Sequence, residues 1–249
     1  MTTRLIYFTG QGRVDERIYA ARLLCFTKNT RLQMTPQVFD DFMRSKVDML
    51  QLTKELEYMS NTIASSWEFV DLIFAINDVS RACAQQITRT RTASYAMQSQ
   101  RVTNMKDTTC HIPSTVPEDL RTHYELALSS SLASYDGLVQ AGVSLEDARG
   151  VLPMNTHCNL LAKYNLRAWV DLVRARDSMR VQGEYRQVIQ EMRQEVCAVW
   201  PWIEAFITPK QDKAIKMIEQ VAETLNDYDH PGQKTLLAKA ADQLKKETA

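Results

Sequence analysis

Residues 69–76 form the run that most constrains the fold of this chain. Their sequence is Phe-Val-Asp-Leu-Ile-Phe-Ala-Ile, and a short run rich in β-branched and aromatic residues predicts a strand buried in the core. Shorter runs predict further strands at 5–9 and 160–164. Elsewhere apolar residues recur at helical spacing, and the predicted helices cover residues 15–25, 36–59, 79–87, 117–142, 144–149 and 184–206, with another beginning at 165. The polar segment 102–116 is predicted to be a surface loop.

Length and charge limit the class of protein. The chain has 249 residues, enough for one large domain or two small ones with a substantial core. Its 30 basic and 30 acidic residues cancel, so it lacks the global positive field of nucleic-acid-binding proteins and none is predicted as a partner. No stretch reaches the roughly 18 consecutive apolar residues that a membrane span needs, so no membrane association is predicted.

The cysteines and histidines form no recognisable site in the sequence. The five cysteines are scattered and include no Cys-x-x-Cys pair, which argues against a disulfide scaffold or a zinc site and fits a reducing compartment. The four histidines lack the spacing of metal ligands. We therefore expect a soluble cytoplasmic protein and predict no metal site.

The segment 89–101 carries a concentration of positive charge. Its 13 residues include three arginines, several hydroxyl groups and two glutamines, but no acid. A solvated helix face usually interleaves acids with its arginines, so an external anion is a natural partner, and arginine forks and serine hydroxyls suit phosphate oxygens. The alternative is an arginine-rich loop that pairs with acids elsewhere in the fold.

The spacing within this segment resembles the signature of the flavin-dependent thymidylate synthases. That signature is Arg-x-Arg, seven residues, Ser, then an Arg two positions further on, and it is matched by Arg89, Arg91, Ser99 and Arg101. Three later blocks also resemble the family in the right order. They are Ala-Arg-Gly-Val-Leu-Pro-Met-Asn at 148–155, Asn-Leu-Arg at 165–167, and Arg176 followed by Gln182 and Glu184. The resemblance runs from about residue 20 to residue 206.

The resemblance implies an architecture. The expected fold class is α+β, a ThyX-like fold with a small mixed or antiparallel sheet flanked by long helices. Residues 1–208 would form the flavin- and nucleotide-binding catalytic domain. Residues 209–249 would form a C-terminal helical extension, with predicted helices at 211–228 and 232–246. The family also implies a homotetramer, whose sites are built from several subunits.

The resemblance also implies an activity. Methylenetetrahydrofolate would give a one-carbon unit to C5 of a pyrimidine deoxynucleotide monophosphate, and FAD reduced by NADPH would contribute the hydride that completes a methyl group. Conversion of dUMP to dTMP is the default reaction. Open alternatives are hydroxymethylation of dUMP, methylation or hydroxymethylation of dCMP, which would suit a virus that modifies its DNA, and a non-catalytic nucleotide-binding paralogue.

The resemblance assigns roles to individual residues. The expected catalytic residues are Ser99, which also contacts the nucleotide, and Arg176, which would polarise the base. The residues expected to bind the substrate are Gln86, Ser99, Gln100, Arg101, Arg149 and Arg176. The residues expected to bind the cofactor are Ser66, Arg89, Thr90, Arg91, Asn165, Arg167 and Asp171.

Several positions depart from the family pattern. Thr90 replaces the signature histidine, Met97 stands where an acid usually contacts the nucleotide, and Gln100 replaces a glycine. The segment 64–69, Ala-Ser-Ser-Trp-Glu-Phe, lacks both histidines of the family's flavin and folate segment, and only Ser66 and Glu68 are plausible substitutes. These changes leave the base and the fate of the transferred carbon undecided.

Overall fold

A computed structural model describes residues 1–31, 34–177, 182–208 and 231–248, together with positions 215, 217, 218, 220 and 221. Among these residues four strands form one sheet: β1 (Thr2–Phe8), β2 (Asp71–Ser80), β3 (Ala93–Met97) and β4 (His157–Asn165). The strand order is β1-β2-β4-β3, and every neighbouring pair is antiparallel. The expected α+β class is confirmed, and the sheet is antiparallel rather than mixed.

The central strand β2 is the buried strand that residues 69–76 predicted. Leu72, Phe74 and Ile76 are fully buried, while the residues between them are half-buried. This alternation places one face of the sheet against the core. The predicted strands at 5–9 and 160–164 are also confirmed, as parts of β1 and β4.

The strand β3 was not predicted. It lies inside the arginine-rich segment, and its sequence, Ala-Ser-Tyr-Ala-Met, alternates half-buried with exposed residues. As an edge strand it has no continuous apolar run, so its pairing with β4 depends on residues far away in sequence, such as Ala93 with Tyr164 and Met97 with Leu160. Local pattern could not indicate that pairing.

The helices agree with the predicted spacing, with three corrections. The predicted helix 79–87 begins at Arg81, because Val79 and Ser80 pair with β4 as the last residues of β2. The predicted helix 36–59 is two helices separated by residues 45–48. Asp48 is the N-cap of the second helix, and its Oδ1 accepts the N–H groups of Leu50 and Gln51. The predicted helix 184–206 stops at Val199, because Pro201 cannot continue the ladder of hydrogen bonds. The observed helices are α1 (Glu16–Phe26), α2 (Pro36–Arg44), α3 (Met49–Thr62), α4 (Arg81–Ile87), α5 (Glu118–Gln140), α6 (Leu145–Ala148), α7 (Leu166–Arg176), α8 (Gly183–Val199) and α9 (Glu204–Ile207).

The main core lies between the sheet and the helices packed on it, chiefly α1, α3, α7 and α8. Its largest fully buried side chains include Trp169, Trp200 and Tyr164. A second, small cluster of Met105, Tyr135 and Ala148 fastens the polar loop 102–116 to α5 and α6. Ala93, Tyr95 and Met97 of β3 pack against the main core.

The C-terminal segment is described in part. A helix at Pro231–Thr248 covers the predicted helix 232–246, whereas most of the predicted helix 211–228 lies outside the described residues. Ile215 and Ala241 are buried. The division at residue 208 stays a prediction. Among the described residues, no helix is both long and apolar enough to span a membrane.

Candidate functional site

The strand β3 separates the predicted site residues into two groups. Arg89, Thr90 and Arg91 precede it, and Ser99, Gln100 and Arg101 follow it. Its five residues rise by about 3.3 Å each, so its two ends lie about 13 Å apart. We call the segment 89–91, which precedes β3, the arginine end, and the segment 99–101, which follows β3, the serine end.

The arginine end gathers residues that were predicted to bind flavin. Because Ala93 pairs with Tyr164 in antiparallel register, Arg91 lies beside the residues that follow Tyr164. The first of these, Asn165, caps α7 by accepting the N–H of Ala168 at 2.8 Å. Arg167 follows in the first turn of α7. Two distant parts of the sequence therefore meet at this end of the sheet.

The guanidinium groups at this end differ in how they are paired. Arg167 donates to Glu68 Oε1 at 2.8 Å. Arg89 and Arg91 are exposed, and within the described part of the chain neither side chain makes a hydrogen bond or an ion pair. Asp171 is exposed one helical turn beyond Arg167, on the same side of α7. The arginine end therefore offers two free guanidinium groups to an anion.

A cavity of about 880 Å³ lies next to the segment that contains Ser66. Ser66 lines this cavity and is buried, and its Oγ lies 2.7 Å from Thr27 Oγ1, within hydrogen-bond distance. Glu68, in the same turn, is the partner of Arg167. The remaining lining is mostly aromatic and aliphatic, and includes Phe26, Phe39, Tyr58, Ile63 and Phe69. A cavity of this size and lining suits a planar aromatic ligand.

Thr90 contacts a cluster of tyrosines through its backbone. Its carbonyl oxygen accepts a hydrogen bond from Tyr95 Oη at 3.1 Å, and that hydroxyl lies 3.2 Å from Tyr164 Oη. Burial raises the pKa of Tyr95 and of Tyr164. The buried hydroxyl of Tyr185 lies close to Thr90 without meeting hydrogen-bond geometry. The backbone of Thr90 thus holds the turn against the tyrosines, whereas the sequence comparison concerned only its side chain.

Two residues predicted to bind the nucleotide lie near the start of α8: Gln86, expected to hold the sugar and phosphate, and Arg176, expected to contact the base. The Gln86 side chain, on α4, donates to the side chain of Gln182, which precedes α8. The Arg176 guanidinium, at the end of α7, lies 6.0 Å from the ring centre of Tyr185, within the range of a cation–π contact. Gln86 and Arg176 therefore both adjoin the first turn of α8, on the side of the arginine end.

The serine end holds the residues predicted to bind phosphate. Ser99 Oγ accepts the backbone N–H of Arg101 at 3.3 Å. The guanidinium of Arg101 forms a two-pronged ion pair with Glu146, with Nε–Oε1 at 2.7 Å and Nη2–Oε2 at 3.1 Å. Arg149 Nε donates to the carbonyl oxygen of Glu146 at 3.0 Å. In this chain, Arg149 therefore caps the end of its own helix.

The arginines of the segment 89–101 differ in which of the two interpretations they fit: binding of an external anion, or pairing with an acid elsewhere in the fold. Pairing with an acid elsewhere in the fold describes Arg101, whose partner Glu146 is 45 residues away. It does not describe Arg89 or Arg91. Gln100 shows a different feature: it is 8 % exposed, and its side-chain nitrogen Nε2 is buried without a hydrogen-bond partner among the described residues. Such a donor is costly unless a ligand or another group accepts from it.

The chain's own titratable groups supply no nucleophile or metal site in the described part. Burial raises the pKa of Cys25 to about 12 and also raises the pKa of Cys83 and Cys158, so these thiols stay protonated at neutral pH. No group of three or more His, Cys, Asp or Glu side chains among the described residues could hold a metal ion. Sequence reasoning missed Glu146 and Tyr185, because no local pattern connects them to Arg101 or Arg176.

Comparisons with known proteins are consistent across most of the chain. A family model described as thymidylate synthase complementing protein matches residues 4–202. A protein of Geobacter sulfurreducens named flavin-dependent thymidylate synthase is 33% identical over 170 residues, which cover 66% of this chain and 72% of that protein. Proteins of the same name are 35% identical in Thermococcus kodakarensis, over 52% of this chain and 55% of that protein, and 27% identical in Clostridium tetani, over 75% and 79%.

Proposed function

Because this chain belongs to the thymidylate synthase complementing protein family, we propose that it is a flavin-dependent enzyme that modifies C5 of a pyrimidine deoxynucleotide monophosphate, with dUMP to dTMP as the default reaction. The observation that carries this proposal is the arginine end, where the side chains of Arg89 and Arg91 are exposed and unpaired within the described residues, and where the strand register brings the turn that holds them close to the start of α7. Arginine forks match the oxygens of phosphate groups. A dinucleotide cofactor carries a pyrophosphate, which is an anion of this kind.

The residues present suit FAD as the cofactor. Arg89 and Arg91 would bind its pyrophosphate, with Thr90 fixing their turn through its backbone. Asn165, Arg167 and Asp171 would lie along one side of it, at the start of α7. Ser66 and the aromatic lining of the neighbouring cavity would contact a ring system. Bound flavin would supply hydride chemistry, and NADPH and methylenetetrahydrofolate would be the co-substrates.

The nucleotide would be held by both ends of β3. Arg176 would polarise the base, and its guanidinium lies 6.0 Å from the ring centre of Tyr185. Gln86, on helix α4, would help to hold the sugar and phosphate. Ser99, Gln100, Arg101 and Arg149 would contact the sugar and phosphate. No described thiol with a lowered pKa lies among these residues, so the proposed role of the chain is to position and polarise the substrate while the cofactor supplies the reactivity.

A homotetramer would complete the site. On one chain the whole of β3, about 13 Å long, lies between the serine end and the arginine end, and Arg149 turns toward its own helix end. We propose that the serine end of one subunit joins the arginine end of another. Helix α5 supports an assembly of this kind: of its 23 residues, all within the described part, Tyr135 is the one that is buried, while Leu120 and Leu126 are exposed.

A product assay tests the proposal. Purified protein is incubated with FAD, NADPH and methylenetetrahydrofolate, and with dUMP or dCMP in parallel, and the nucleotide products are identified by mass. A gain of one methyl group on dUMP is the expected result. Methylated dCMP would support the enzymatic proposal with a different substrate, and a hydroxymethylated nucleotide would support it with a different product. Failure to bind flavin, with no product from either nucleotide, would refute the proposal and leave a nucleotide-binding paralogue.

A further inference from the structure

The carboxylate of Glu184 occupies a buried junction next to the residues assigned to nucleotide binding. Its side chain is 1% exposed, and it lies in the first turn of α8, two residues after Gln182. Oε1 accepts the backbone N–H of Ser80 at 2.6 Å, and Oε2 accepts the Ser80 hydroxyl at 2.5 Å. Burying a carboxylate costs free energy unless hydrogen bonds compensate it, and both of its oxygens are engaged here.

Ser80 connects this carboxylate to helix α4. It is the N-cap residue of α4, and its Oγ accepts the N–H of Cys83 at 3.0 Å. Helix α4 has only seven residues and carries Gln86 near its end, so a displacement at Ser80 is transmitted to Gln86 within two helical turns. The bond between Gln86 and Gln182 ties the other end of α4 to the start of α8. Glu184 and Gln182 thus fasten α4 at both of its ends.

Glu184 also faces the loop that follows the serine end. His111 Nδ1 lies 3.8 Å from Glu184 Oε1. The backbone N–H of His111 donates to the carbonyl oxygen of Asn155, and the Asn155 side chain donates to the carbonyl oxygen of His111, each at 2.8 Å. One buried carboxylate therefore contacts both α4, with its Gln86, and the loop that continues from Arg101.

We propose that Glu184 is a positioning residue for nucleotide binding. It fixes the start of α4, and through α4 it sets the place of Gln86 relative to the serine end. This inference rests on the proposed function, because Gln86 is assigned to the nucleotide only there. Charge-assisted hydrogen bonds to a buried carboxylate are stronger than neutral ones, which suits a group that must hold a short helix in one position.

The test compares Glu184→Gln with Glu195→Gln. Glu195 lies on the same helix and also accepts a backbone N–H, that of Leu5 at 3.0 Å, but it fastens α8 to β1 instead of α4. For each variant we would measure the Kd and KM for dUMP, kcat, and hydrogen exchange of the α4 amides. Glu184→Gln is expected to raise Kd and KM about tenfold, the effect of weakening one charged hydrogen bond, with kcat within about twofold, and to speed exchange in α4. Glu195→Gln is expected to change none of these for α4 or the nucleotide.

A double-mutant cycle with Gln86→Ala shows whether Glu184 acts through Gln86. If it does, the second substitution adds little to the first. Independent, additive effects, or equal KM changes in the Glu184 and Glu195 variants, would overturn the inference. If Glu184→Gln does not fold, Ser80→Ala is expected to give the same pattern, because it keeps the backbone bond to Glu184 but removes the hydroxyl bond to that carboxylate together with the N-cap bond to Cys83. A wild-type protein that binds no nucleotide would overturn the proposed function and this inference together, whereas normal wild-type binding with unchanged variants would overturn only the inference.

Discussion

The ion pair between Arg101 and Glu146 gives a sharp prediction about nucleotide binding. In the ligand-free chain both prongs of the Arg101 guanidinium are occupied by Glu146, with contacts of 2.7 Å and 3.1 Å. If Arg101 binds the nucleotide phosphate, the phosphate must displace this carboxylate. Glu146→Gln removes the competing charge while keeping the side-chain shape, so the variant should bind dUMP more tightly than the wild type.

The size of the effect follows from the exposure of the pair. The side chains of Arg101 and Glu146 are 59% and 50% exposed, and exposed ion pairs are worth about 0–1 kcal/mol because water and salt screen them. Removing the competitor should therefore tighten the Kd for dUMP by at most about fivefold. The gain should shrink at high ionic strength, since screening already weakens the pair in the wild type. The hydrogen bond from Arg149 goes to the backbone oxygen of Glu146 and is kept.

Isothermal titration calorimetry with dUMP at low and high salt would measure this effect. The matched control is Glu125→Gln, because Glu125 pairs with Arg121 at 3.2 Å and the two side chains are 46% and 48% exposed, but both residues of this pair lie within α5 and neither is assigned to the nucleotide. The control should leave the Kd unchanged. An unchanged or weaker affinity in Glu146→Gln would refute the reasoning, since Arg101 would then not leave Glu146 for the phosphate.

Three further predictions concern flavin, a buried amide and a buried thiol. Arg91→Gln should lower the flavin absorbance of the purified protein while changing the free energy of unfolding by less than about 0.5 kcal/mol, because the side chain is exposed and unpaired in the described part of the chain; equal flavin content would contradict this. Gln100→Leu removes the Nε2 that has no partner among the described residues, so it should raise the free energy of unfolding by about 1–3 kcal/mol in urea titrations. The same variant should bind dUMP more weakly. An unchanged affinity for dUMP would exclude this amide from the nucleotide site. Burial raises the pKa of Cys25 from 9.0 to about 12, so the folded state holds this proton more tightly than the unfolded state. The thiol's contribution to the free energy of unfolding is present below about pH 9 and is lost as pH rises toward 12. Between about pH 8 and pH 10, the free energy of unfolding measured by denaturation should therefore fall less in Cys25→Ala than in the wild type. Equal decreases would contradict the raised pKa of Cys25.

Much of the fold could be predicted from local pattern. Three of the four described strands and most of the helix positions follow from apolar spacing, because burial on one face leaves a periodic trace in the sequence. The failures occurred where the trace is weak. An edge strand such as β3 buries little, and the links at Asp48 and Pro201 interrupt an apolar stripe that continues on either side of them.

The amino-acid sequence supplies the functional groups of the site, whereas the fold controls which of them are free to bind a ligand. The spacing of Arg89, Arg91, Ser99 and Arg101 is a property of the chain. The fold places these residues at opposite ends of β3. It leaves Arg89 and Arg91 unpaired among the described residues, and it brings Arg101 into an ion pair with Glu146. The physical reason is that ion pairing and burial depend on distances in space, and residues far apart in sequence leave no local pattern from which such distances can be predicted.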